Sequence, residues 1–247
     1  MTRRATKLKE FRQAHEFLLV LDAGDSLVGD RPYSQQSQGA TSVEAMNRLG
    51  YDAAALGPKD LGLGAEILSQ RIAEADYMYL AANVAYAATG EPVAGDVLFR
   101  EMGGHGVAII GLTEKVDAPG FTVADPVETL QKLLPDVRSR ADIIIVLTHL
   151  PVSAAREMAA VMPDIDLIVA GGSEHLAAGE EIGGRTLIVH ADVPSPGHAG
   201  RNLGLAQLGF DSRGRMTAQT NEVVALSEVS IEEDPELLEW LLGVQLQ

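Results

Sequence analysis

The sequence predicts a layered α/β fold with a mixed or second sheet, and three observations carry that expectation. Six short apolar runs have strand length and are continuous rather than alternating, which suits strands covered on both faces. Amphipathic helical patterns lie between them, and strands alternating with helices argue stacked layers. After Gly172 the helices stop and strand-like stretches follow one another across Gly-rich turns.

The strands are "FLLVLDA" (Phe17–Ala23), "DAAALG" (Asp52–Gly57), "MYLAANV" (Met78–Val84), "GVAIIGLT" (Gly106–Thr113), "IIIVLTHL" (Ile143–Leu150) and "DLIVAGG" (Asp166–Gly172). The intervening helices are "TSVEAMNRLG", "AEILSQRIAEA", "PVETLQKLLPDVRSRA" and "SAAREMAAVMP". The first of these offers Thr41 and Ser42 as N-caps and stops at Gly50. Downstream, "RTLIVHADV", "NLGLAQLGFD" and "MTAQTNEVVAL" read as a largely antiparallel run. A short amphipathic helix from Asp234 or Pro235, holding the only Trp, closes the chain. No repeat or linker divides the 247 residues, so one domain is the simpler reading.

Composition narrows the function classes. With 46% hydrophobic residues but only 4% aromatic, the core must rest on Val, Ile, Leu and Ala. A formal net charge of -16 repels nucleic-acid phosphates, which argues against a nucleic-acid partner. The absence of Cys excludes disulfides, Cys-zinc sites and thiol nucleophiles. The basic start is followed by no apolar core of signal-peptide length, and "FLLVLDAG" is too short to span a membrane. As written, the chain reads as cytoplasmic, or as periplasmic or extracellular if an export signal lies upstream.

Functional groups of parallel-type sheets gather just past the C-terminal ends of strands. Those ends carry Asp22 and Asp25, Lys59 and Asp60, His149, Glu174 and His175, and then His190, Asp192 and His198. Asp and His converging from several strand ends suit a divalent metal. The same residue types also serve as caps and turn residues.

Taken in order, these stretches resemble the calcineurin-like metallophosphoesterase domain of the bacterial 5′-nucleotidase family. "LDAGDSLVGD…ATSVEAMNRLGYDAAALGPKDLGLG" is similar to the family's GDxxxG, its helix ending ALGYD, and GNHEFDYG. "VLTHLPVSAAREMAAVMPDIDLIVAGGSEH" is similar to its LTHLG…IDLIIGGHSH segment, and "ALSEVSIEEDPELLEWL" to its closing segment. The resemblance implies a four-layer αββα sandwich with mixed sheets. It further implies two divalent metals that activate a bridging water and clamp a phosphate. The domain would span 1–247 and lack the family's first strand, with its Asp-x-His, and its C-terminal substrate domain.

The motifs are degenerate. Asp25 stands at the metal-bridging carboxylate. In the Asn-His motif, Pro58 replaces Asn and Lys59 replaces the catalytic His, followed by Asp60 and Gly62. His149 is retained, and in Gly-His-x-His the first His is Ser173 and the second His175. The residual metal set is therefore Asp25, His149 and His175, with Lys59 at the catalytic position. Glu174 or Asp60 could assist a single ion (Mn, Zn or Mg). The inherited reaction is metal-dependent hydrolysis of a small phosphate ester or nucleotide, expected to be impaired or lost. The alternative is a non-catalytic binding or interaction module, metal-free, with a protein partner. In that alternative Lys59 pairs with Asp25 in the metal's place. His15, His105, His190 and His198 match no ligand position and read as surface or hydrogen-bonded core histidines.

Overall fold

The structure is a computed structural model that describes residues 1–29, 32–176, 178–191 and 201–245. Its first part runs α1 (Thr2–Ala14), β1 (Leu21–Asp22), α2 (Pro32–Gln36), α3 (Ala40–Leu49), β2 (Ala53–Ala55), α4 (Pro58–Leu61), α5 (Ala65–Glu74) and β3 (Met78–Leu80). There follow β4 (Val84–Tyr86), β5 (Val97–Met102), β6 (His105–Leu112), β7 (Phe121–Val123), α6 (Pro126–Arg138), β8 (Ile143–Thr148), α7 (Val152–Val161) and β9 (Leu167–Ala170). The last part holds β10 (Glu180–Ile182), β11 (Thr186–Val189), β12 (Asn202–Phe210), β13 (Met216–Ala225) and α8 (Pro235–Gln245).

Two principal sheets stack face to face. One is a parallel three-stranded sheet ordered β1-β2-β3. The other is six-stranded and mixed, ordered β10-β11-β9-β8-β6-β5, with antiparallel strands only at its two edges. β12 and β13 form a separate antiparallel ribbon, and β4 pairs with β7.

Side-chain alternation along each strand explains the layering. Ala53 and Ala55 of β2 face Ile109, Ile143, Ile145 and Leu147 in a core between the sheets. Ala54 and Leu56 point the other way, onto Leu8, Met46, Leu68 and Leu237 from α1, α3, α5 and α8. Ala108, Ile110 and Ile144 meet Leu130 of α6 and Met158 of α7 on the far side. Three apolar interiors separate helices, sheet, sheet and helices, which is the expected αββα sandwich. The continuous apolar runs follow from it, because both faces of each central strand are buried.

The structure departs from expectation in several places. α3 starts at Ala40 behind Gly39, with no side-chain cap. Thr41 lies within its first turn and bonds Ser37 instead, because α2 leads into α3 through residues 37–39. The stop at Gly50 is as expected: its φ of 65° is left-handed, and Arg12 donates to the carbonyls of Leu49 and Gly50. β1 is only two residues long, against the seven of "FLLVLDA". Val20 pairs with the side chain as well as the backbone of Asp52. Beyond β1 no further strand of this sheet is present among the described residues. β11 joins the six-stranded sheet parallel to β9, so the segment after Gly172 is not simply antiparallel. The "GPKD" turn contains a one-turn helix, α4, with Pro58 at a position where its missing N–H costs nothing.

Candidate functional site

The site forms where β1, β2 and β8 release their C-terminal residues toward one another. Asp25 lies in the loop after β1, in a left-handed conformation with φ of 58° that is uncommon for a residue with a Cβ. Its backbone is held from below by Asp60, whose carboxylate has no exposure. Asp60 Oδ2 accepts the N–H groups of Asp25 and Gly57, each at 2.8 Å, and Oδ1 accepts that of Leu27 at 3.1 Å. Burial pushes the Asp60 carboxyl up to about 7, with the nearby Asp25 charge adding to the rise. The three amides act in the opposite sense. Asp60 thus staples the two loops together and has both oxygens committed to backbone.

The Asp25 carboxylate is the meeting point. Its Oδ1 accepts the Lys59 backbone N–H at 2.8 Å. Its Oδ2 lies 3.0 Å from His149 Nε2 and 3.6 Å from Lys59 Nζ. Gly57 is required here, since a Cβ at that position would sit 2.2 Å from Asp25 Oδ1. Burial works to raise the Asp25 carboxyl, but the His149 hydrogen bond and charge, with those of Lys59, hold it below its ordinary value. His149 shows the mirror case. Burial pushes it down, yet its hydrogen bond to Asp25 and the Asp25 charge hold it above 6.5. Its Nδ1 lies 3.2 Å from the Ala23 carbonyl oxygen. Both ring nitrogens therefore face acceptors, an arrangement that favours the doubly protonated imidazolium.

Of the remaining candidates, Asp22 feels the His149 charge but does not bond to the trio. Asp22 accepts the Gly24 N–H at 3.0 Å, and burial raises its carboxyl. Glu174 accepts from the backbone and hydroxyl of Ser153, at 2.6 and 2.8 Å, in the first turn of α7. His175 is exposed and makes no hydrogen bond or ion pair with a described residue. His190 is buried with Nε2 3.1 Å from the Gly172 carbonyl, His105 lies 3.6 Å from Asp142, and His15 approaches Gln207. Asp192 and His198 lie outside the described residues. Sequence reasoning missed the anchoring part of Asp60, because nothing in "LGPKDLG" marks its acid as one consumed by backbone amides.

Whether such a centre suits a metal is a question of lone pairs and ligand count. Among the described residues no group of three or more His, Asp or Glu converges as a metal ion needs. A metal-bound imidazole needs a free lone pair, whereas His149 Nε2 is directed as a donor at Asp25. The Lys59 ammonium already supplies positive charge to the same oxygen. The described residues do not fit a two-metal phosphoesterase centre.

No family model matches the chain. An uncharacterized metallophosphoesterase of Bacillus subtilis, YunD, is 26% identical over 231 residues, covering 90% of this chain and 49% of that protein. A snake venom 5′-nucleotidase of Gloydius brevicauda is 29% identical over 267 residues, covering 96% of this chain and 44% of its own. The chain thus spans about half the length of the curated relatives it matches. The crystal structure of a 5′-nucleotidase precursor from Thermus thermophilus superposes with a TM-score of 0.85 at 26% identity, covering 99% of this chain and 52% of that one. Relatives, layered sandwich and strand-end motifs agree, and the chain is similar to the 5′-nucleotidase type of calcineurin-like metallophosphoesterase domains.

Proposed function

We propose that this domain, spanning 1–247, has lost or nearly lost phosphate-ester hydrolysis and serves as a metal-independent binding or interaction module. The observation that carries this reading is the position of Lys59, with Nζ 3.6 Å from Asp25 Oδ2. The Lys59 ammonium and the His149 ring both set positive charge or a donor against the carboxylate that would otherwise bridge two ions. Neither can lower the pKa of a bound water as a metal does. A net charge of -16 would also discourage a free nucleotide, so a protein partner fits better than a phosphate substrate.

The test is metal content after dialysis against excess Mn²⁺ or Zn²⁺, together with turnover of an aryl phosphate. The expected result is less than about a tenth of an equivalent of metal and no metal-dependent turnover. Stoichiometric metal, with turnover abolished by Asp25→Asn, would show instead a phosphohydrolase working with one ion held by Asp25, His149 and His175.

A further inference from the structure

A pocket of about 290 Å³ lies at the end of the six-stranded sheet opposite the candidate site. Arg138, Arg185, Arg213 and Arg215 line it, with Asp142 and Asp164. The segments that lead into β8, β9 and β11 build it together with the β12–β13 turn. Asp142 and His149 flank β8 at its two ends, so the six residues of that strand set the two places about 20 Å apart. The walls are held in place. Arg138 donates to the backbone carbonyls of Asp142 and Asp164 and ties the β8 and β9 entries together. Asp211 Oδ1 accepts the Arg213 and Arg215 backbone N–H groups at 2.9 and 3.0 Å, which closes the β12–β13 turn. Gly214 seats that turn against the β8 entry, since a Cβ there would sit 2.7 Å from Asp142 Cβ.

Two of the four guanidinium groups are committed within the protein. Arg138 serves the carbonyls just named, and Arg215 holds Asp211 Oδ2 through Nε and Nη2 at 2.9 and 2.8 Å. The other two keep most of their donors. Arg185 commits one of its five N–H groups, at 3.4 Å from the buried Asp166, and its Nε is buried without a partner. The Arg213 side chain bonds no described residue. The lining acids have partners of their own. Asp142 Oδ2 accepts the Gly106 N–H at 3.2 Å and faces His105 at 3.6 Å, and Asp164 faces Arg138 Nε at 3.9 Å. Two forked donors with N–H groups to give thus line one small pocket, in a chain with 35 acids against 19 Lys and Arg.

We propose that this pocket binds a phosphate dianion, either free or esterified to a side chain of a partner protein, through Arg185 and Arg213. A guanidinium presents its N–H groups in a plane that matches two oxygens at once. A phosphate has three strong acceptor oxygens and close to two negative charges at neutral pH, so it engages both forks together. A carboxylate has two oxygens and one charge, enough for one fork. The volume is near the low end of small-molecule sites, about 300 Å³, which suits a phosphate and the first atoms beyond its ester oxygen. The net charge of -16 acts at longer range and is screened beyond about 8 Å at physiological salt, whereas the forks act at bonding distance. The proposal does not depend on whether the candidate site holds a metal or hydrolyses anything.

The experiment is calorimetric titration of the protein, with EDTA present, by inorganic phosphate, a capped phosphoserine peptide, the same peptide without its phosphate, and acetate. The expected result is a Kd of about 1 mM or below for both phosphates, with no measurable binding of the other two. Tighter binding of the phosphopeptide assigns the site to a partner-borne phosphate, and equal binding assigns it to the free anion. Arg213→Ser removes an exposed side chain that bonds nothing described, so the variant folds, and it should weaken binding by about tenfold. Arg185→Lys keeps a charge beside Asp166 but removes the fork, and should weaken binding by about as much. The proposal is overturned if neither phosphate binds below about 10 mM, if acetate binds as tightly, or if either variant leaves the affinity unchanged. It is also overturned if Asp25→Asn abolishes binding, which would put the phosphate at the candidate site.

Discussion

Asp60, wholly buried, accepts the backbone N–H of Asp25 at 2.8 Å and so fixes the left-handed turn that aims the Asp25 carboxylate. Asp60→Asn replaces one acceptor oxygen by an NH₂ group that must face amide donors. The expected loss is about 2 kcal/mol of stability, read from chemical denaturation. The pH dependence follows from a carboxyl raised from its ordinary 3.8 to about 7 by burial. Its stabilising contribution is complete below 3.8 and is lost as pH rises through about 7. The advantage of the native protein over Asp60→Asn should therefore shrink between about pH 4 and pH 8. A constant difference across that range would show that Asp60 ionises normally.

His149 and Asp25 should give a different pH signature. The Asp25 carboxyl is held below 3.8, so its share of the pairing is lost only as pH falls through that lowered value. The imidazole is held above 6.5, so its share is present below 6.5 and is lost as pH rises through the raised value. His149→Gln, which keeps a hydrogen-bond donor but no charge, should cost about 2 kcal/mol near pH 5 to 6 and clearly less near pH 9. Denaturation midpoints of the two proteins at these pH values measure the difference.

Most of the layering was legible because long-range burial writes itself locally. β6, β8 and β9 read as unbroken apolar runs since a sheet or a helix layer covers each of their faces. The β12–β13 ribbon was legible from its Asp-Ser-Arg-Gly turn, in which Asp211 accepts from the Arg213 and Arg215 amides. Less could be read where a strand's extent depends on a neighbour. "FLLVLDA" has the composition of a seven-residue strand, yet only Leu21 and Asp22 are in the ladder, with Val20 bonded to Asp52 just ahead of it, because pairing is a property of two edges. At the site the residue types were visible, but their commitments were not. Nothing in "GPKD" distinguishes an acid offered to a ligand from one consumed by three amides, as Asp60 is.

Gly57 tests how tightly the site is built. Its backbone φ of -107° is open to any residue, so the constraint is space rather than conformation. An added Cβ would meet Asp25 Oδ1 at 2.2 Å. Gly57→Ala should therefore destabilise by about 1–3 kcal/mol and displace the carboxylate from the Lys59 amide. Loss of exchange protection at the Lys59 N–H would report the displacement directly, separate from the change in global stability.

Lys59 tests the reading of the site itself. Its side chain is 75% exposed, so its ion pair with Asp25 is screened by solvent. Lys59→Met should leave stability unchanged within about 0.5 kcal/mol. Removing the ammonium strips positive charge from the one oxygen a cation would seek, so Mn²⁺ or Zn²⁺ uptake should rise even though no ligand has been added. Adding donors in the loops after β2 and β9, through Pro58→Asn, Lys59→His and Ser173→His together, should raise it further, toward about one equivalent. The order native, Lys59→Met, triple variant in metal content, read by elemental analysis after dialysis, is the expected outcome. Equal and negligible uptake in all three would mean that charge at position 59 is not what keeps cations out, and that the Asp25–His149 contact closes the site unaided.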